Sequence, residues 1–106
     1  MKRGEIWTLR DDKYASKARP VVIVQSNNID MFESIILCLF TTFDSAHIST
    51  RVRITADSQN RLKKDSYVMT DKIITVGKQE LGEKIGLLTN DQMKLISLQL
   101  AIVLNI

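Results

Sequence analysis

The sequence predicts a β-rich α+β fold: a small, strongly bent antiparallel sheet or barrel followed by one helix. Three observations lead there. Short β-favouring runs alternate with clusters of turn formers from Gly4 to Val76. Two of these runs are almost continuously apolar, as strands covered on both faces are. Near the C-terminus a helix-start signal introduces a long apolar segment. With 106 residues, the chain is expected to form a single domain over its whole length, 1–106.

The first run, Gly4-Glu5-Ile6-Trp7-Thr8-Leu9, reads as a strand ending in the charged stretch Arg10-Asp11-Asp12-Lys13. Arg19-Pro20 introduces Val21-Val22-Ile23-Val24-Gln25, a β-branched strand with Pro20 at its first position, where no ladder donor is lost. Turn formers at Ser26 to Asp30 separate it from a second buried strand, Ser34 through Phe40 to Thr41-Thr42. Ser49 to Ile54 alternates, which puts Thr50, Val52 and Ile54 on one face and Arg51 and Arg53 on the other. Tyr67 to Thr70 and Ile73 to Val76 are strand-like around the polar pair Asp71-Lys72, a possible bulge. After the Gly-flanked segment Leu81 to Leu88, Thr89 and Gln92 have capping-box spacing, so a helix begins there. Its apolar residues, from Met93 to Leu104, spread around much of the wheel. The helix is therefore either deeply packed or in contact with a partner.

Composition removes several function classes. The longest apolar runs, Ile35 to Phe40 and Leu100 to Leu104, fall far short of the roughly 20 residues a membrane span needs, so no membrane association is expected. Basic Lys2 and Arg3 lead straight into strand-like sequence, without the apolar stretch of a secretion signal. The single Cys38 sits in an apolar run and reads as core, and a cytoplasmic location is expected. One His and one Cys offer no metal-ligand cluster, and phosphate-loop, dinucleotide and nucleophile-elbow patterns are missing. No metal and no cofactor are expected.

The net charge of +3 is mild, but the basic residues gather at Lys13, Lys17 and Arg19, at Arg51 and Arg53, and at Arg61, Lys63 and Lys64. Such grouping suits a phosphate-binding surface as well as it suits ordinary solvated charge. The remaining chemistry open to these side chains is acid–base catalysis beside cations, as in metal-free RNA cleavage through the neighbouring 2′-hydroxyl. That reaction needs a base, a cation for the phosphate oxygens and a proton for the leaving 5′-oxygen. Candidates are Arg19 at a strand start, Thr41 and Thr42 at a strand end, His47 in the loop that follows, and Asp71 interrupting a strand. Each has a plainer reading: surface charge for Arg19, strand-edge residues for the threonines, an exposed loop residue for His47 and a bulge residue for Asp71.

These residues lie in segments that resemble the MazF/PemK toxin family in order: Arg3-Gly4-Glu5-Ile6-Trp7, Arg19-Pro20-Val21-Val22-Ile23-Val24-Gln25, Thr41-Thr42, Lys64-Asp65-Ser66-Tyr67-Val68 and Leu81-Gly82-Glu83-Lys84-Ile85-Gly86. The resemblance runs nearly end to end. It implies a small SH3-like β-barrel with a C-terminal helix, a homodimer, and a metal-independent endoribonuclease cutting single-stranded RNA at short motifs. It also implies a cognate antitoxin that docks a disordered acidic segment.

By the same resemblance, Arg19 stabilises the scissile phosphate, Thr41 positions it or handles a proton, and Asp71 acts as the base, as in PemK-like members. Lys13, Lys17, Thr42, His47, Arg51, Arg53 and Lys72 are the candidate RNA-binding residues. Two departures from the family pattern stand out. Met69 replaces an arginine two positions before the aspartate, and the loop Arg10 to Ala18 is short and lacks the usual Gly and Glu-Gln. The alternative function is a non-catalytic nucleic-acid binder or a gyrase-directed toxin resembling CcdB, whose fold is related.

Overall fold

The computed structural model describes residues 1–10 and 19–106. Lys13 and Lys17 lie outside the described residues. Six strands form one antiparallel sheet: β1 (Glu5–Leu9), β2 (Arg19–Ile23), β3 (Ser34–Thr41), β4 (Val52–Ile54), β5 (Ser66–Gly77) and β6 (Leu81–Leu87). Their spatial order is β4-β5-β3-β2-β1-β6, and helix α1 (Asn90–Leu104) follows. The β-rich sheet with one C-terminal helix is the architecture the sequence predicts.

Strand β2 sits near the middle of the sheet because its β-branched residues fit apolar surroundings on both faces. Val22 joins Ile6, Cys38, Val68 and Ile96 in one core, while Val21 and Ile23 join Ile35, Leu37 and Leu81 in a second core across the sheet. Pro20 is the second residue of β2. It lies ahead of the β2–β3 ladder, whose first pair is Val21 with Leu39, so its missing N–H leaves that ladder intact. The strand stops at Ile23, short of Gln25. The N–H groups of Val24 and Gln25 both donate to the Ile36 carbonyl, at 3.1 and 3.2 Å.

The sheet's two edges meet through the loop after β4. Leu87 N–H on β6 donates to the Gln59 carbonyl at 3.2 Å. Gly86 makes this approach possible, since a Cβ there would stand 2.1 Å from the Asn60 backbone oxygen. Asn60 itself is buried. Its side chain accepts from Asp57 N–H and Leu62 N–H and donates to the Thr55 carbonyl, which fixes the loop that closes the barrel.

The polar interruption in the fifth strand is a bulge within one continuous 12-residue element. Cys38 pairs with Ile73 and the next residue, Leu39, pairs with Met69, so Thr70, Asp71 and Lys72 face no partner on β3. Thr70 turns inward, buried, with its hydroxyl donating to the Thr50 carbonyl, while Asp71 and Lys72 are exposed.

The alternating segment Ser49 to Ile54 is strand only from Val52. Before it the chain turns, with Ile48 N–H donating to the Ser45 carbonyl at 2.8 Å and Arg51 N–H to the Ile48 carbonyl at 3.1 Å. Arg51 and Arg53 consequently do not form a matched basic face. The Arg51 side chain is 14% exposed and that of Arg53 is 61%.

Helix α1 starts on the capping box the sequence signals: Thr89 Oγ1 accepts from Gln92 N–H, and Gln92 Oε1 accepts from Thr89 N–H. Only Met93 and Ile96 are buried along it, and Leu95, Leu98, Ile102 and Leu104 are exposed. Deep packing is thus excluded as the reason for its apolar character. No helix among the described residues is long and apolar enough to cross a membrane.

Candidate active site

The sheet register brings the predicted residues towards one end of the central strands. The β2–β3 ladder pairs Val21 with Leu39, and continuing the same register two residues outward sets Arg19 opposite Thr41. Both belong to the strand face that carries Val21, Ile23, Leu37 and Leu39, because they alternate in step with those residues. Thr41 in turn pairs with Tyr67 on β5, and Asp71 follows on the same strand in the bulge. Arg19 is exposed, and Thr41 Oγ1 accepts from Phe43 N–H at 3.1 Å, which shapes the turn out of β3.

Arg51 and Asp71 form a close charged arrangement. Arg51 Nε donates to Asp71 Oδ1 at 3.0 Å and Nη2 donates to Oδ2 at 3.1 Å, a planar fork on both carboxylate oxygens. Arg51 Nη1 donates to Ser45 Oγ at 3.0 Å, and the buried Ser45 hydroxyl donates to the Phe43 carbonyl at 3.0 Å. The turn after β3, the start of β4 and the β5 bulge are tied together at this point. The Arg51 hydrogen bonds hold the Asp71 carboxyl below the ordinary carboxylate range. Slight burial opposes this, and the charges of Arg51 and Lys72 add to it. The same partnership raises the Arg51 pKa.

Beside this pair, Tyr67 Oη donates to Asp44 Oδ1 at 3.1 Å, and Ala46 N–H donates to the same oxygen at 3.0 Å. The Ala46 and Tyr67 hydrogen bonds lower the Asp44 pKa, with weaker help from His47 and Arg53. His47 is exposed in this loop, as is Thr42 at its start. Arg53 Nη2 donates to Asp65 Oδ2 at 3.1 Å, so this cation, too, is matched to a carboxylate.

Asp71 and Arg51 are therefore in direct contact, Arg19 and Thr41 share a strand end, and His47 and Arg53 border Asp44. Sequence reasoning missed Ser45, Asp44 and Tyr67. The Asp44-Ser45 pair of turn formers after a strand is a signal for the Asp44 turn, but nothing local reports that Ser45 anchors an arginine.

A family model of the PemK-like, MazF-like toxins of type II toxin–antitoxin systems matches residues 2–104. The probable endoribonuclease MazF of Mycolicibacterium smegmatis is 34% identical over 94 residues, covering 88% of this chain and 86% of that protein. The endoribonuclease MazF of Staphylococcus saprophyticus is 33% identical over 78 residues, covering 72% of this chain and 64% of the relative. Among solved structures, an endoribonuclease in complex with its cognate antitoxin from a mycobacterial species superimposes with a TM-score of 0.82 at 28% identity, over 100% of this chain and 96% of the other. The chain belongs to the PemK-like, MazF-like toxins of type II toxin–antitoxin systems.

Proposed function

We propose that this toxin is an endoribonuclease that cuts single-stranded RNA at short sequence motifs, without a metal, through attack of the 2′-hydroxyl on the adjacent phosphate. Asp71 takes the 2′-hydroxyl proton as the 2′-oxygen forms its bond to phosphorus. Arg19 stabilises charge on the phosphoryl oxygens, and Thr41 positions the phosphate. The bond from phosphorus to the 5′-oxygen breaks, and that oxygen is protonated from solvent. The products are a 2′,3′-cyclic phosphate and a 5′-hydroxyl. Thr42, His47, Arg53 and Lys72, with Lys13 and Lys17, hold the flanking RNA backbone.

The observation behind this reading is the β5 bulge, which turns a carboxylate outward beside a guanidinium on the strand that pairs with Thr41. Relatives over most of the chain's length that are named endoribonucleases support it. The chain acts as one cytoplasmic unit and is held silent by a cognate antitoxin. A structural relative solved with its own antitoxin supports that partner. Two copies pair through apolar surface, and the exposed Leu98 and Ile102 on α1 supply a face for it.

The test is incubation of the purified protein with a long single-stranded RNA in excess EDTA, alongside Arg19→Ala and Asp71→Asn variants shown to be folded. Cuts at a recurring motif that persist in EDTA and vanish in both variants support the assignment. A folded wild-type protein that leaves the RNA intact contradicts it and favours a binding or gyrase-directed toxin.

A further inference from the structure

The Arg51–Asp71 pair poses a chemical problem for a base. With one guanidinium N–H on each carboxylate oxygen, Asp71 takes up a proton only by giving up the negative charge that strengthens both hydrogen bonds. The partner cannot simply swing away, because Arg51 is anchored a third time on Ser45, itself buried and bonded to the Phe43 carbonyl. We propose that Arg51 and Asp71 form a latch that RNA releases: an incoming phosphate takes over the guanidinium fork and frees the carboxylate to act as base. This rests on the ribonuclease reading and adds to it a residue, Arg51, that binds a substrate phosphate and in doing so frees Asp71.

Three features of the site suit the exchange. A phosphate presents the same two-oxygen edge to a guanidinium as a carboxylate does, so the fork changes partner without changing shape. Ser45 keeps the guanidinium in place during the change, because its contact is with Nη1, while Nε and Nη2 hold the carboxylate. The Asp71 side chain is 36% exposed and that of Arg51 14%, so polyanionic RNA reaches the pair from the carboxylate's side and competes there for the cation.

The arrangement also answers the departure at Met69. In this chain the cation beside the aspartate comes from the turn before β4, 20 residues away in sequence, and not from the position two before it on the same strand. The charged groups that lower Asp71 are Arg51 from that turn and Lys72 on its own strand, and the Asp71 charge in turn raises the buried Cys38 thiol on β3.

The test combines two readouts on the whole chain. Carboxyl-carbon NMR follows the Asp71 titration in wild type, free and bound to a 2′-O-methyl RNA oligonucleotide of mixed sequence, and in Arg51→Gln. The pH dependence of kcat/KM on cleavable RNA is measured for wild type, Arg51→Gln, Arg51→Lys and Ser45→Ala. The latch predicts an Asp71 midpoint that moves to higher pH on oligonucleotide binding and in Arg51→Gln. It also predicts a roughly ten- to hundred-fold loss of kcat/KM in Arg51→Gln, with the acid limb moved to higher pH. Arg51→Lys, which keeps the charge without the fork, restores part of the limb's position and little of the rate. Ser45→Ala, which keeps the pair but frees its anchor, raises KM more than it lowers kcat.

An Asp71 midpoint that stays put when the oligonucleotide binds overturns the latch, as does an unchanged acid limb in Arg51→Gln. If wild type cuts no RNA, the ribonuclease reading falls. The NMR arm still decides the latch in that case, for or against, by whether the midpoint moves.

Discussion

Cys38 shows how far burial alone sets a residue's behaviour. It is fully buried between Val22 and Ile73, and desolvation pushes its thiol up to about 12, with Arg3 lowering and Asp71 raising it to lesser degrees. The neutral thiol is inert in the native state. Iodoacetamide at pH 8 is expected to leave folded protein unmodified and to label it fully in denaturant, and rapid native labelling would contradict the burial. The core role of Cys38 was legible because a small apolar side chain in a continuous β-branched run has no solvent face to occupy. The fork of Arg51 on Asp71 was not. It depends on a bulge and a turn that come together only in the folded sheet, and alternation by itself put Arg51 on the same exposed face as Arg53.

Elements with local instructions were the most readable. The Thr89–Gln92 capping box satisfies two backbone donors from within four residues, so helix α1 starts where the sequence says it should. Thr89→Ala is expected to cost about 1 kcal/mol of unfolding free energy in urea titration, and a change near zero would show that tertiary packing alone fixes the helix start. The β5 bulge was also legible, since Asp71-Lys72 breaks an otherwise apolar strand. The shortness of β4 was not, because the hydrogen bonds that turn the chain from Ser45 to Arg51 compete with strand pairing in a way alternation does not reveal. Gly86 is similar: only the assembled barrel brings β6 against Asn60. Gly86→Ala is expected to destabilise by about 2 kcal/mol or more, since the opposing atom is backbone and has little room to yield. Equal stability of wild type and variant would contradict that closure of the barrel.

At the scale of the whole molecule, opposite charges are matched in a way that makes stability depend on pH. Asp71 is lowered by its Arg51 hydrogen bonds, and Asp44 by those from Ala46 and Tyr67. For Glu5, burial pushes upward but is outweighed by hydrogen bonds from Lys2, Trp7 and Lys84. A carboxyl whose folded pKa lies below its unfolded one stabilises the fold fully above the ordinary range near about 4 and loses that contribution as pH falls through the folded value. The urea midpoint is therefore expected to hold from pH 7 to about 5 and to decline below, less steeply in Asp71→Asn. A midpoint that rises on acidification would contradict these pairings.

The proposed dimer also belongs to this scale. If the exposed Leu98 and Ile102 form its face, Leu98→Glu with Ile102→Glu leaves the chain folded and lowers its sedimentation coefficient from that of a dimer to that of a monomer. A wild-type coefficient already that of a monomer, or a dimer coefficient unchanged by the substitutions, would contradict the proposed face.

The most direct test of the 2′-hydroxyl mechanism uses an RNA oligonucleotide containing one mapped cleavage motif and its twin with a single 2′-deoxy sugar on the 5′ side of the scissile phosphate. Cleavage of the first to a 2′,3′-cyclic phosphate and a 5′-hydroxyl, with the twin bound but uncut, is the predicted result. Cleavage of the twin at the same bond would contradict it, because the attacking oxygen would then come from elsewhere than the sugar.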